Sequence, residues 1–511
     1  MNTNPNSAIT FRRARSASNE RLLAEISAFC QRVGIAESTF GRRVVNDGKL
    51  VTRLRFGGRV TTHTAERVRV YISRALTEMG VDPERLAEAT AAEVLYDEQP
   101  GVAANVMITK TQFASRPLHA APAADDQATP ASQSAVQGEP FRFFDNRQKY
   151  LLFVNTCTEK WVVSQRIDVE LDSLRPRAPA LRIFDGGMGD GTVLTRVMRS
   201  MHDRFPTVPF YIAGKEISLE DVRLVLEKMP DRFYEHPATV LVMTNMYYSE
   251  APWLRPNSLA AASGLMWHEV ALSGNTSGQF ERQITQLQPF LSKNWTAKIS
   301  STTGNPVYER PVVLVLYRED HKLLLDGVRP KQGAARADYD LVIASQPYRA
   351  RMPVEFKAQK VVAPLARALG PGGRLIGIHS CGGDPALEIV QGVWPGEQPF
   401  QTDRHQLLKA TKAALGSDAR TLNFNAHSDQ RSLFRYEMHT LPSETSSAIG
   451  TSTLMAAWNA AVYVAQIEDQ RLEQVMTNRK YLDVTRDVLR KHGKLWFQNE
   501  SYVISRLRHE T

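Results

Sequence analysis

Asp185 closes the apolar run Leu181-Arg-Ile-Phe-Asp185, and glycines follow at alternate positions: Gly187, Gly189 and Gly191. A helical stretch from Val193 to Met201 comes next. Glycine has no Cβ, so the backbone here can turn sharply and lie against a ligand. A strand feeding a glycine-rich turn and a helix is how a doubly wound α/β sheet builds a nucleotide crevice at the carboxyl ends of its strands. The spacing is neither G-x-G-x-x-G nor G-x-x-x-x-G-K-[ST]. A second carboxylate, Glu216, ends the next apolar run, Phe210-Tyr-Ile-Ala-Gly-Lys-Glu216. An acid at that place can accept both hydroxyl hydrogens of a ribose. Its plainer reading is an exposed acid before a helix, because Ser218-Leu-Glu-Asp has the form of an N-cap followed by first-turn acids.

Further polar groups stand where later strands should end. They are Asn245 and Met246 in Met243-Thr-Asn-Met-Tyr247, Ser345 and Tyr348 in Ser345-Gln-Pro-Tyr348, and His379 after Gly373–Ile378. The run Asp185-x-Gly187-x-Gly189-x-Gly191 closely resembles the first motif of class I S-adenosylmethionine (SAM)-dependent methyltransferases. That resemblance implies a glycine loop beside the methionine part of SAM, with Asp185 near its amino group and Glu216 on the ribose. It also implies Asn245 at the adenine edge and Met246 over the ring. Ser345-Gln346-Pro347-Tyr348 is similar to the Asn/Asp/Ser-Pro-Pro-Tyr/Phe tetrapeptide of amino- and amide-directed methyltransferases. There the first residue holds the target nitrogen and the aromatic ring packs on it. Gln346 stands where that pattern has proline, which leaves the methyl acceptor unidentified, an amine or amide nitrogen being one class. A strand-ending turn is the structural alternative, since proline removes a ladder donor.

Ser345, Tyr348 and His379 are thus the catalytic candidates. Methyl transfer from a sulfonium asks the protein mainly to align the nucleophile and, where needed, to remove a proton. Two rival functions share the loop. An aminopropyltransferase resembling spermidine synthase has a similar Gly-Gly-x-Gly-Asp-Gly run (Gly186 to Gly191), but that family wants Asp where this chain has Ala344-Ser345-Gln346. A transcriptional regulator could sense SAM without catalysis. The twelve histidines never fall in H-E-x-x-H or paired Cys/His spacing, so no metal is expected.

The basic residues are concentrated at one end. Residues 1–76 hold fourteen Arg or Lys against five Asp or Glu, and the rest of the chain balances to zero within a net charge of +9. Such a segment points to a polyanionic partner. Ile26 to Val45 has helix-turn-helix grammar, with Phe29, Cys30, Val33, Phe40 and Val44 facing inward and a turn at Gly34–Ile35. It resembles repressor-type DNA-binding segments, which implies duplex DNA as a partner. Ser38, Thr39, Arg42 and Arg43 would then meet base edges, and Arg53, Arg55 and Arg59 phosphates. A helical module forming a homodimer is the competing expectation.

These residues require three segments to position them: a basic helical module over 1–92, a flexible Ala/Pro/Ser/Gln linker over 93–140, and a catalytic domain over 141–511. In the last, strand and helix patterns alternate, predicting a mostly parallel, doubly wound α/β sheet of the seven-stranded Rossmann-like methyltransferase type. Strands are expected at Leu181–Asp185, Pro209–Glu216, Thr239–Thr244, Tyr339–Ser345, Gly373–His379 and near Lys494–Ser505. Residues 246–337 break the alternation and read as an insertion that could cap the pocket, with a helix over Gln279–Leu291. Phe424–Leu441 reads as a substrate-facing loop. No apolar run approaches the roughly 20 residues of a membrane span. The three cysteines are few and scattered, and no signal-like apolar region follows the first arginines, so a cytoplasmic location is expected.

Overall fold

A computed structural model describes residues 22–33, 35–45, 47–55, 60, 62–78, 147–300, 305–440 and 449–508. The chain divides into two units, Met1–Thr129 and Pro130–Thr511.

In the first unit the described residues form four helices: α1 (22–33), α2 (Glu37–Val45), α3 (Leu50–Arg55) and α4 (Thr62–Glu78). Their apolar residues recur at helical spacing and meet in one core of Ile26, Phe29, Phe40, Val44, Leu54 and Val68, each nearly or wholly excluded from water. Phe29, Phe40 and Tyr71 pack edge to face with centroids 5.5 to 6.2 Å apart. The α1–α2 turn is tight because the Ile35 N–H donates back to the Cys30 carbonyl at 3.1 Å, the bond of a Schellman-type helix end.

In the second unit two helices, α5 (Arg147–Thr156) and α6 (Glu159–Leu171), precede a ten-stranded sheet. Its strands are β1 (Leu181–Asp185), β2 (Phe210–Lys215), β3 (Thr239–Thr244), β4 (Met266–Leu272), β7 (Val312–Arg318), β8 (Tyr339–Ser345), β9 (Leu369–Ser380), β10 (Leu422–Asn425), β11 (Leu433–Glu437) and β12 (Trp496–Arg506). A separate hairpin holds β5 (Ala297–Ile299) and β6 (Pro306–Tyr308). The order along the sheet is β10-β12-β9-β8-β1-β2-β3-β7-β4, with β11 also on β12. The pairs β3 to β9 through β2, β1 and β8 are all parallel, and β12 runs antiparallel to β9. This is a doubly wound, mostly parallel Rossmann-like sheet, as expected, but of ten strands in place of seven.

Strand residues point alternately to two cores, as the pleat demands. Leu181, Ile183, Phe210, Ile212, Leu241, Met243, Leu341 and Ile343 meet α6, α7 (Thr192–Arg204) and α8 (Leu219–Glu235) on one face. Phe184, Tyr211, Ala213, Val240, Val242, Val342 and Ala344 face the other way, against the helical segment 354–367 and the helix Arg404–Leu415. The chain therefore leaves β1 toward one face and β8 toward the other. Neighbouring strands that diverge in this way open a crevice at their carboxyl ends.

The region 246–337 differs from its expected role as a cap. β7 pairs antiparallel with β3, and β4 pairs parallel with β7, so this region widens the sheet at its β3 edge. The helix expected over Gln279–Leu291 is two, Ser277–Thr285 and Gln288–Asn294, because Pro289 offers no N–H and sits where a second helix can begin. The residues expected as a substrate-facing loop over Phe424–Leu441 instead carry β10 and β11, both hydrogen-bonded to β12; 441–448 lie outside the described residues. The cover over the strand ends comes from a third, helical cluster: α5, Pro385–Val393, Thr451–Val464 and Lys480–His492, packed through Phe153, Ile389, Trp458 and Leu489. No described helix is long and apolar enough to cross a membrane.

Candidate active site

The glycine loop is tied across the crevice mouth, with Gly186 N–H donating to the Ile343 carbonyl of β8 at 2.8 Å. Gly189 and Gly191 adopt φ of +52° and +77°, the left-handed region that disfavours a Cβ. Gly187 is exposed, with nothing within 4 Å of where a Cβ would project. Met188, next in the loop, is buried against Gly214 of β2.

Asp185 is buried at the end of β1, and its Oδ1 accepts from Gly187 N–H at 3.1 Å. Burial lifts its carboxyl to about 6; the Gly187 bond and Lys160 oppose this, and neighbouring Glu216 adds to it. Glu216, at the end of β2, accepts from Gly189 N–H at 2.9 Å through Oε2, and from Ile217 and Ser218 N–H at 2.7 and 2.9 Å through Oε1. Burial and Asp221 push its carboxyl up as well. A buried and a half-buried acid thus end adjacent strands, and Oε2 of Glu216, with one donor, keeps an open lone pair.

Two residues not singled out from the sequence complete this side. Tyr150 of α5 shares a hydrogen bond of 3.1 Å with Asp190 Oδ1, and its hydroxyl lies 3.1 Å from where a Gly189 Cβ would be. Asp190 also accepts from Thr192 at the start of α7 and from Lys228 of α8; against the upward push of burial, Lys160 and these donors hold it below the ordinary carboxylate range.

Asn245 and Met246 do not line the crevice. Asn245 is 1% exposed, and its amide receives Val312 N–H and donates to the Arg310 carbonyl, both at 2.9 Å, fastening β7 to the end of β3. Met246 is wholly inside the core. The residue that reaches the crevice from β3 is Tyr248. Its ring lies 3.6 Å from the Gly186 Cβ position, Lys215 stands over it, and its hydroxyl donates to the Pro347 carbonyl at 2.8 Å.

Tyr248 therefore joins the glycine loop to the turn after β8. In that turn Gln346 has φ +48°. Proline, locked near −65°, cannot take that conformation, so this turn is not the Pro-Pro-Tyr geometry its sequence suggested. Gln346 braces the turn instead, donating to Ser380 Oγ at 2.9 Å, while its N–H donates to the Ile378 carbonyl at 2.8 Å. Ser345 is half-buried at the strand end.

The catalytic candidates Tyr348 and His379 meet directly. Tyr348 Oη lies 2.6 Å from His379 Nδ1, and His379 Nε2 lies 2.7 Å from Glu500 Oε1. All three are buried. Glu500 comes from β12 and was not singled out from the sequence. It also receives the Arg404 N–H at 2.7 Å and the Arg404 guanidinium at 2.8 Å. Burial raises its carboxyl, but His379 and Arg404 outweigh this and hold it below the usual range. With Glu500 ionised, Nε2 of His379 carries a proton. In the neutral ring Nδ1 is then the acceptor for the Tyr348 hydroxyl.

Tyr348 and His379 line a narrow cleft of about 10 Å³, close to the size of one water, together with Lys357, Phe400, Thr402 and Gln466. Gln466, at the end of the helix Thr451–Val464, closes the cleft by accepting from the Ala350 N–H at 2.9 Å. His268 is remote from this: it sits in β4, at the far edge of the sheet, stacked on Phe290 at 4.3 Å.

In the basic unit, Ser38, Thr39, Arg42 and Arg43 are exposed on α2 while Phe40, Gly41 and Val44 face the core. Arg55 pairs with both oxygens of Glu37 at 2.9 Å, and Arg53 pairs with Asp47. These two arginines thus brace the unit itself. Arg59 lies outside the described residues.

No family model and no curated protein matches the chain. Among solved structures it is similar to a geranyl diphosphate methyltransferase in complex with GPP and sinefungin, at 12% identity and TM-score 0.25 over 66% of this chain and 76% of that one. It is similar to the cyclopropane synthase MmaA2 from Mycobacterium tuberculosis, at 10% and 0.26 over 67% and 83%. A third is phosphoethanolamine N-methyltransferase 2 from Haemonchus contortus in complex with S-adenosyl-L-methionine, at 10% and 0.24 over 68% and 52%. Likenesses this distant bear on neither cofactor nor activity; the sheet order and the crevice carry the fold.

Proposed function

We propose that residues 141–511 form a SAM-dependent methyltransferase. The observation that carries the reading is the pair of upward-shifted carboxylates, buried Asp185 and half-buried Glu216. They end adjacent strands beside a glycine loop whose Gly187 edge is open, at the point where the sheet's connections diverge. Such a crevice fits a cationic nucleoside. Asp185 and the loop would hold the amino-acid end, and the open lone pair of Glu216 a ribose hydroxyl. When bound, SAM supplies an electrophilic methyl group.

What the chain's own residues do follows from the relay. The acceptor's proton, passed directly or through the one water that the Tyr348 cleft has room for, reaches the Tyr348 oxygen as the Tyr348 hydrogen moves to His379 Nδ1. Glu500 stabilises the imidazolium that results, and Arg404 fixes Glu500. The relay adds base catalysis to alignment. An aminopropyltransferase lacks support here, since Ala344 and Ser345 put no carboxylate at the end of β8.

Calorimetric titration with SAM tests the cofactor reading. Gly189→Val must force a branched residue into left-handed backbone against Tyr150, and Glu216→Ala removes charge-assisted bonds worth roughly 1.5–3 kcal/mol each. Wild-type affinity in both variants rejects the assignment. Incubation with SAM and cell extract separates an enzyme from a SAM-sensing regulator, because only the enzyme forms S-adenosylhomocysteine.

For the basic unit we propose duplex DNA as partner, read by Ser38, Thr39, Arg42 and Arg43. Their common exposure on α2, opposite its buried face, supports this. With Arg53 and Arg55 engaged in ion pairs, exposed Lys49 is the better phosphate contact.

A further inference from the structure

An open pocket of about 640 Å³ lies at the loop that follows the helix Pro385–Val393, a volume typical of small-molecule sites. Its walls include Arg351, Trp394, Glu397, Gln398, Gln401 and Arg471. Arg471 comes from the helix Asp469–Met476. One Nη of its guanidinium donates to Glu397 at 2.5 Å and the other to Glu468 at 3.4 Å, while the group stands over the Trp394 ring, 5.1 Å from its centre. Trp394 in turn stacks on Trp458 at 5.7 Å. The Arg471 plane is thus pinned at its edge by two carboxylates and backed by indole. Its other face is left to the pocket, and the side chain is 32% exposed. Arg351 donates through Nη1 to the Ala465 and Gln466 carbonyls at 2.6 and 2.8 Å, and through Nη2 to Glu397 at 2.7 Å. A guanidinium has five N–H donors, so two stay without a partner among the described residues. The exposed amides of Gln398 and Gln401 add donors and acceptors, and no atom stands within 4 Å of where a Gly396 Cβ would project. Charge alone favours no anion here, since Glu397 and Glu468 match the two guanidiniums. What the pocket offers is a fixed flat cation to stack on, with amide and N–H groups around it.

We propose that this pocket binds a purine nucleotide, its base stacked on the open face of the Arg471 guanidinium and its edge met by Arg351, Gln398 and Gln401. Arginine planes stack on aromatic faces, and splayed bases are held on such planes. A fork of two N–H donors matches O6 and N7 of guanine, and a side-chain amide matches N6 and N7 of adenine. A plain hydrocarbon ring would leave those polar groups without partners. The space is several times the roughly 150 Å³ that encloses a benzene, so sugar and phosphate fit as well. The nucleotide comes either free or as one unit of a single strand, and its chemistry at Arg471 is the same in both. The proposal does not rest on the methyltransferase reading, because the pocket shares no residue with the crevice at Asp185 and Glu216.

The test is calorimetric titration of the full chain with guanosine 5′-monophosphate and with ribose 5-phosphate, which lacks the base, each with and without saturating SAM. The nucleotide should bind at least about tenfold more tightly, the worth of one stacked base. Arg471→Lys keeps the charge but has no plane, so it should cost the nucleotide about tenfold and leave ribose 5-phosphate as it was. If the lysine variant does not fold, Gln401→Ala at an exposed position decides by a loss of about threefold to tenfold. A four-residue purine single strand separates the sources. A strand that binds no more tightly than the nucleotide marks the free nucleotide as ligand; a gain that Arg471→Lys abolishes marks the strand. Equal affinity for nucleotide and ribose 5-phosphate, no nucleotide binding at roughly 5 mM, wild-type affinity in the folded variants, or displacement of the nucleotide by SAM overturns the proposal.

Discussion

Tyr348 and His379 stand 2.6 Å apart although 31 positions separate them in the chain, and Glu500 completes the row from 121 positions further on. Tyr348→Phe removes the hydroxyl that hands the proton on, and His379→Gln removes its receiver. Each should lower kcat by about 10²–10⁴-fold while leaving calorimetric SAM affinity unchanged; a loss of SAM binding instead would place these residues in the wrong role. Asp185 gives a pH dependence. Its folded value of about 6 lies above the ordinary range near 3.9, so native stability is lost as pH rises through about 6 and the buried carboxylate ionises. A cation offsets that cost only once Asp185 is charged. SAM affinity should therefore climb with pH up to about 6, by at most tenfold per unit, and then level off; a flat profile between about pH 5 and 7.5 counts against Asp185 as a ligand. Lys357 works in the other direction. Its folded value of about 8 lies below the unfolded value near 10.4, so the buried charge destabilises the fold below pH 8 and stability rises between these values. Urea unfolding of Lys357→Met at pH 7 should show a gain of about 1–2 kcal/mol, after the lost bond from its ammonium to the Ala350 carbonyl, that disappears by about pH 10.5. The sequence placed Asp185, Gly187, Gly189, Gly191 and Glu216 because each is marked by its own neighbours: an apolar run before, a helix after. Nothing local marks Tyr150, Lys357 or Glu500, which matter only through what the fold sets beside them.

At the level of elements, the pairing of β9 with β12 builds the relay. The antiparallel register places Glu500 opposite His379 and Tyr502 opposite Gly377, two steps along. A Cβ on Gly377 would lie 2.0 Å from the fully buried Tyr502 ring, so the two strands can align only because this position is glycine. Gly377→Ala should cost about 1–3 kcal/mol by overpacking and shift Glu500 away from His379. A lowered urea midpoint together with reduced kcat would bear this out, whereas full stability would show that the ring moves aside freely. The central strands were legible to within a few residues, because buried parallel strands are continuous apolar runs bounded by glycine and proline. Which strand pairs with which was not. The Asn245 amide reads as a base-binding group only while the β7 edge beside it is unknown. The region 246–337 reads as a cap for the same reason. Gln346 was a visible departure from the tetrapeptide, but its positive φ became apparent only in the turn itself.

On the scale of the whole molecule, charge and chemistry fall into different units. The fourteen basic against five acidic residues in 1–76 and the crevice in 141–511 share no sequence. The truncated chain 141–511 should bind SAM with the affinity of the full chain; insolubility or loss of binding would disprove that boundary. If 1–92 binds duplex DNA, log affinity should fall linearly with log salt, at about −0.9 per phosphate contact. Arg42→Ala or Arg43→Ala should cost about 1–3 kcal/mol on a preferred site and little elsewhere. Arg55→Ala, by breaking its pair with Glu37, should loosen the helices without flattening the salt slope; anisotropy titrations that show no binding at about 50 mM salt discard DNA as the partner. The place of β12 also bears on how the protein comes into being. β9 is finished at Ser380, yet the strand that covers its open side begins at Trp496, about a hundred residues later. At ribosomal speeds β9 must wait on the order of ten seconds, with Leu375, Ile376 and Ile378 on an unpaired rim ready to capture any other extended chain. The step that installs the carboxylate behind His379 is thus the step that ends the nascent chain's exposure to aggregation, and a chaperone that shields that rim should raise the yield of active protein more than one that acts after release.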